Sequence, residues 1–322
     1  MLRCQRLPSI MNIIFYISFL LSFTAAPISA STTKTPFGEF PAECVIEHPS
    51  GTTLEKAEKN TVRAILPDGS AKLHKANPTC ETALRENFNH IMSIIKKQEK
   101  GVQIGSDTLP ISWSWFNFAS WSSSQDLKKF TATYTIPNNP EEISTSEVLY
   151  YFIGVIDTSG NPLTILQPVL GFQGNNGASG WSIASWNCCS ANQIHKSETI
   201  SNLQPGDTIY GKIEKTDSNH YTITTTWKDR PTILTTYTGT NHYTWNNVAL
   251  EVHNIDKCSN FAKGPIVFSK LYLQGINDAQ MIPNWILLPP NGTTECNGAL
   301  TIDTNTITIE QNKEEDFPNI TK

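Results

Sequence analysis

The chain reads as an all-β protein, a two-sheet antiparallel β-sandwich preceded by a small α/β N-terminal segment. Three observations predict this. From Trp113 onward, short strand-like runs alternate with turns rich in Gly, Pro and Asn, with no helical stretch between them. All eight tryptophans lie in that part, at 113, 115, 121, 181, 186, 227, 245 and 285. Charged residues make up only 16% of the chain while Thr, Asn and Ser are plentiful, a balance that suits a secreted β protein better than a cytosolic helical one.

The elements follow in order. Residues 1–30 have the layout of a signal peptide. Arg3 and Arg6 supply a positive start, Ile13 to Leu21 an apolar core, and Ile28-Ser29-Ala30 a cleavage site. Initiation at Met11 would remove both arginines and keep the core. That core is too short to span a bilayer, so the expected product is secreted and extracellular, with no stable membrane anchor. Residues 31–105 hold most of the Lys and Glu clusters. Thr61 to Leu66 and the turn Pro67-Asp68-Gly69-Ser70 predict a hairpin. A helix capped by Thr79 carries the stripe Leu84, Phe88, Ile91, Ile95 and stops near Lys100-Gly101, with lysines at its C-terminal end. The sandwich is expected over 106–310, with strands at Phe130–Ile136, Leu149–Ile156, Gly180–Trp186, Asp207–Ile213, Tyr221–Trp227 and Val248–Val252. Residues 311–322 form a charged, polar tail.

Cys4 leaves with the signal, and six cysteines remain: Cys44 and Cys80 in the N-terminal segment, Cys188, Cys189, Cys258 and Cys296 in the sandwich. Even counts on each side suit disulfides in an oxidising compartment. The expected pairing is Cys44–Cys80 plus two bridges in which Cys188 and Cys189 each reach Cys258 or Cys296. A zinc site competes weakly, lacking a C-x-x-C and a close His pair. Asn291 and Asn319 head N-glycosylation triplets.

A net charge of −5 gives no basic footprint for nucleic acid. There is no G-x-S-x-G, H-E-x-x-H, phosphate loop or dinucleotide fingerprint, and no cofactor is expected. Two runs stand out. Leu163 to Leu170 sets Gln167 in an apolar pattern, and Val248 to His253 does the same with Glu251. Alternation puts Gln167 with Ile165 and Val169, and Glu251 with Ala249 and His253. Such a pair is either a catalytic dyad or two satisfied core polars.

The order of blocks decides which family comes to the fore: Phe130-Thr-Ala-Thr-Tyr-Thr-Ile-Pro137, Tyr151-Phe-Ile-Gly-Val-Ile-Asp157, Ile165-Leu-Gln-Pro168, Gly180-Trp-Ser-Ile-Ala-Ser-Trp186, Ile200 to Ile209 and Ala249-Leu-Glu-Val252. Over residues 113–275 this order resembles the secreted glutamic peptidases, the eqolisin family. The resemblance implies a concanavalin-A-like jelly roll, an N-terminal pro-segment that 31–105 would supply, and a catalytic Gln/Glu pair that falls on Gln167 and Glu251. The departures are Phe152 in place of a tryptophan, one extra residue before Asp157, Ser185 in place of an acidic residue, Cys188 and Cys189 in place of loop aromatics, and no counterpart for 276–322.

On this reading the protein is a secreted acid endopeptidase acting on peptides or proteins. Glu251 serves as base and then acid, and Gln167 as uncharged donor to the oxyanion. Partial burial would raise the Glu251 pKa and favour acid-side activity. From residue 111 onward 12 basic side chains face 19 acidic ones, which suits an acidic medium. Phe152, Asp157, Trp181 and Trp186 are the candidate substrate contacts, against the plainer readings of Asp157 as a turn starter and the aromatics as core. His195 and His253 have no sequence partner and are read as structural. The alternative is a non-catalytic glycan-binding or wall or coat protein on the same fold, which needs exposed tryptophan faces.

Overall fold

The computed structural model describes residues 31–58, 60–100, 109–159, 163–174, 180–288, 296 and 298–311. The expected signal peptide, both glycosylation triplets' Asn291 and Asn319, and the tail beyond residue 311 lie outside these.

Thr32–Thr35 (β1) and Gly38–Pro41 (β2) form a hairpin. Val45–His48 (β3), Thr52–Lys56 (β4), Thr61–Ile65 (β5) and Ala71–Lys75 (β6) follow, then the helix Pro78–Glu99 (α1). The body of the protein runs through Ile111–Ser122 (β7), Leu127–Thr135 (β8), Val148–Asp157 (β9), Thr164–Gln173 (β10), Gly180–Ser190 (β11), Gln193–Ser197 (β12) and Ile200–Leu203 (β13). It continues through Thr208–Lys215 (β14), His220–Trp227 (β15), Arg230–Tyr237 (β16), Trp245–Ile255 (β17) and Ile266–Gly275 (β18). Four short strands close it: Gln280–Met281 (β19), Ile286–Leu288 (β20), Ala299–Asp303 (β21) and Thr306–Glu310 (β22).

Two sheets result. One has the order β20-β7-β17-β9-β10-β11-β12-β3, with β13 on β11. The other has the order β21-β22-β18-β8-β14-β15-β16-β4-β5-β6, with β19 on β18. The predicted all-β sandwich is what the chain forms. Strand patterning explains the layering. In β14, β15 and β16 buried residues alternate with more exposed ones, as in sheets with one wet face. In β9 all ten residues are buried. Its odd-numbered side chains, such as Tyr151, Ile153 and Val155, fill the core between the sheets. Its even-numbered ones, such as Tyr150, Phe152 and Ile156, enter a second core against Phe37, Phe40 and the helix.

That second core is built by the N-terminal segment. The predicted stripe Leu84, Phe88, Ile91, Ile95 is buried, each side chain contributing about 1.5–3 kcal/mol of burial. The helix begins one residue before Thr79. Asn77 accepts the Thr79 N–H at 3.0 Å through its side chain, and Pro78 takes the first turn, where a missing N–H costs nothing. The described residues of this segment are also woven into both sheets. β3 pairs in parallel with β12, and β4 in parallel with β16.

Three disulfides are present among the described residues. Cys44–Cys80 is as expected. The other two correct the expectation: Cys258 pairs with Cys296, and Cys188 pairs with its neighbour Cys189. The reason is placement. Cys188 sits in β11 between Ile165 of β10 and Ile194 of β12, inside the second core. Cys258 lies in the turn after β17, where Ser259 and Asn260 bond to Glu142.

Candidate functional site

The face of the first sheet that carries Gln167 is organised in rows across the strands. Gln167 lies opposite Trp186 of β11. On its other side the register runs from Leu166 beside Val155 to Val169 beside Phe152, which sets Gln167 next to Gly154. Gly154 in turn lies opposite Asn247 of β17, and Asn247 opposite Ser120 of β7. The row therefore reads Ser120, Asn247, Gly154, Gln167, Trp186. Gly154 matters because it has no side chain. A Cβ there would stand 2.5 Å from Asn247 Oδ1 and 3.4 Å from Gln167 Cγ. Two amides thus approach each other over a glycine. Both are fully buried, and neither amide has a protein hydrogen-bond partner for its oxygen or nitrogen.

The strands are parted beside this row. Pro168 has no N–H to give to β9. The Tyr134 hydroxyl reaches across from the other sheet and fills the gap. It donates to Pro168 O at 3.1 Å and accepts from Ile153 N at 3.0 Å. Burial pushes the Tyr134 pKa up, so the hydroxyl stays protonated. Gly211 makes room for it, since a Cβ at that position would meet the Tyr134 oxygen at 2.5 Å.

Glu251 shares the face but not the neighbourhood. It lies opposite Tyr150, which lies opposite Gly171 of β10. Gln167 is four residues further along β10, roughly 13 Å, and β10 is two strands, roughly 10 Å, from β17. The intervening row holds Phe118, Ala249, Phe152 and Val169. The Trp115 indole packs on both Phe118 and Phe152. The expected one-water dyad of Gln167 and Glu251 is therefore not assembled. The Glu251 carboxylate is held by Trp113 Nε1 at 2.6 Å, Trp115 Nε1 at 2.7 Å and His253 Nε2 at 3.0 Å. Burial raises its pKa, and the His253 and indole bonds pull in the opposite direction.

The remaining candidates divide between faces. Phe152 and Trp186 line the Gln167 face. Trp181 points into the core between the sheets, where its Nε1 donates to Asn139 Oδ1 at 2.9 Å. Asp157 stands at the end of β9, where Oδ1 accepts from Ser159 N and Oγ. It follows the odd-numbered parity of the inter-sheet face, so neither it nor Trp181 reaches Gln167. His195 belongs to a histidine cluster at the sheet edge. Asn247 escaped the sequence reading, and His253, placed beside Glu251 but read as structural without a partner, is bonded to the Glu251 carboxylate. Polar Asn246-Asn247 at the start of an apolar strand was the available signal, but only the pairing register shows that Asn247 meets Gln167.

The N-terminal hairpin lies on this face. Tyr150 donates its hydroxyl to Lys34 O at 2.9 Å, and His253 Nε2 stands 3.1 Å from Thr35 O. Phe37 sets its ring edge against Trp186. Since Thr35 O and the Glu251 carboxylate only accept, His253 carries its proton on Nε2. A cavity of about 130 Å³ remains beside the hairpin, between Lys34, Tyr150, Gly171 and Trp186. Among the described residues no group of acidic, His or Cys side chains has the layout of a metal site, and no helix is long and apolar enough to cross a membrane.

No family model matches the chain, and no curated protein sequence matches it. Among solved structures, a scytalido-glutamic peptidase bound to a peptide-based transition state analogue aligns at 12% identity and a TM-score of 0.41, over 63% of this chain and 100% of its own. SCP-B, a member of the Eqolisin family of peptidases in complex with the tripeptide Ala-Ile-His, aligns at 14% and 0.41 over the same shares. The PL7 alginate lyase AlyA1 from Zobellia galactanivorans aligns at 12% and 0.25, over 59% of this chain and 62% of its own. Likenesses of this size assign the chain neither a family nor an activity.

Proposed function

We propose that the face bearing Gln167, Tyr150, Glu251 and His253 is a groove for extended polypeptide, filled here by the chain's own residues 32–41, and that the protein engages peptides there once the segment leaves. One observation carries this reading. The face grips the hairpin through backbone carbonyls, Lys34 O by Tyr150 and Thr35 O by His253. Contacts to main-chain carbonyls accept any sequence, and pockets such as the one beside Trp186 supply preference. The glycan reading lacks its platform, because none of the large hydrophobic side chains exposed among the described residues is a tryptophan.

A second reading, acid endopeptidase, has its own support. Glu251 is a buried carboxylate joined to His253, and His253 touches a peptide carbonyl. Glu251 would take a proton from water and return it to the leaving amine. Gln167, walled off by Trp115 and Phe152, would have to approach to serve as oxyanion donor.

Both readings are tested on the full chain and on a Phe37→Ala/Phe40→Ala variant that loosens the hairpin. Labelled, reduced and alkylated polypeptide is titrated by anisotropy from about pH 2 to 7, and products are followed by mass spectrometry. Binding by the loosened variant supports the groove. Cleavage that vanishes with Glu251→Gln supports the peptidase. Neither binding nor cleavage by a folded variant removes both.

A further inference from the structure

His48, His74 and His195 come together where the N-terminal segment meets the sheet edges. His48 ends β3, His74 lies in β6 and His195 in β12. Two of the three thus belong to the segment and one to the body. The His48 and His195 rings stack with centroids 5.2 Å apart. His74 stands edge-on to both, at 5.3 and 5.8 Å. His195 is fully buried, His48 is 2% exposed, and His74 is half-buried with its Nε2 enclosed and without a protein partner.

The hydrogen bonds fix the protonation. His195 Nε2 lies 3.1 Å from Ser190 O, a pure acceptor, so Nε2 carries the proton. His195 Nδ1 is then a lone pair, and His48 Nε2 donates to it at 2.9 Å. The bond holds one proton between the two rings, so it tolerates a charge on one of them but not on both. Charging both would set two N–H groups against each other between the stacked rings.

The surroundings give a second positive charge no welcome. From β6, Lys72 disfavours charge on His48 and His74. From β3, Glu47 favours it on His48, but Glu47 is also engaged by Lys196 of β12. β5 presents Val62 beside His74. β11 and β16 present Asn187, Ser190 and Thr236, none of which titrates.

We propose that His48, His74 and His195 form a latch that holds the segment from β1 to α1 over the groove at neutral pH and opens in acid. This rests on the reading of the covered face as a polypeptide groove, and it names how that groove is uncovered. Burial, with the neighbouring imidazoles, depresses His48 to about 4 and His195 to about 3, and burial lowers His74. The sign follows. A base whose pKa is depressed in the closed state takes up its proton on opening. The closed state is therefore favoured above the ordinary value of 6.5 and loses ground as pH falls below it. Each such histidine shifts the closed-to-open ratio by up to about tenfold per pH unit.

The test is amide hydrogen exchange on the full chain at about pH 7 and about pH 4.5, corrected for the intrinsic pH dependence of exchange. The expected result is exchange at least about tenfold faster in acid over β1, β2, β3 and β12, with β7, β17 and β18 still protected. His48→Gln should cut that acceleration by about tenfold. His74→Gln, at a half-buried position, gives the same readout if the first variant does not fold. Equal acid acceleration in wild type and both variants, or acceleration spread evenly over all strands, would overturn the latch. The readout is the segment's own opening, so a groove that failed to bind peptide would leave the latch standing.

Discussion

Single side chains on the Gln167 face combine strict geometry with unmet polar demand. Tyr134 is the clearest case, since one hydroxyl replaces the ladder bond that Pro168 cannot make. Tyr134→Phe leaves Ile153 N and Pro168 O unpaired in a dry core and should cost about 1–3 kcal/mol in urea denaturation. Gln167 points the other way. Its two polar atoms have no protein partner, so Gln167→Leu should leave stability unchanged or raise it by up to about 1 kcal/mol, as a site kept for binding rather than folding would. A loss above 2 kcal/mol would mean that the amide is bonded after all, by water. Glu251 adds a pH signature. Its pKa is raised by burial, so the folded state is penalised as pH climbs above the ordinary value of 4.5. The stability of Glu251→Gln relative to wild type should therefore rise with pH from that point, and a pH-independent difference would contradict the burial assignment. The sequence showed which residues of its own strand share a face with Gln167 and with Glu251, but neither that the two faces are one nor how far apart the residues lie. Side-chain parity repeats every two residues, so a four-residue offset between strands preserves it. Asn247 was hidden for the same reason.

Elements were more legible than their pairings. The apolar run of β9 announced a strand, and the stripe from Leu84 to Ile95 announced an amphipathic helix. What the helix covers is a long-range fact, and local pattern does not carry it. The same limit applied to Cys188 and Cys189, where the rarity of neighbour bridges outweighed a placement that sequence could not show. The cover has its own staple in Cys44–Cys80, which closes 36 residues around β3 to β6. Cys44→Ser/Cys80→Ser should lower the segment's stability by about 3–4 kcal/mol. Calorimetry should then resolve an early transition for the segment, and a single unsplit transition would show that cover and sandwich melt together.

At the scale of the whole molecule, acid acts on both sides of one boundary. The two effects oppose each other: protonation eases the penalty of Glu251 beneath the hairpin, which favours the closed state, and charges the histidines at the segment's edge, which favours opening. The segment also occupies the ends of both sheets, through β3 on β12 and through β4, β5 and β6 on β16. Its departure would bare the backbone of β12 and β16 together, two unpaired strands on one particle. A freed sandwich is thus a candidate building block for edge-to-edge stacking into oligomers or fibres. Light scattering after acid opening should rise with protein concentration, and added extended peptide that caps either edge should suppress it. On that outcome the segment would act as a shield for both sheet edges, blocking their pairing for as long as it stays in place.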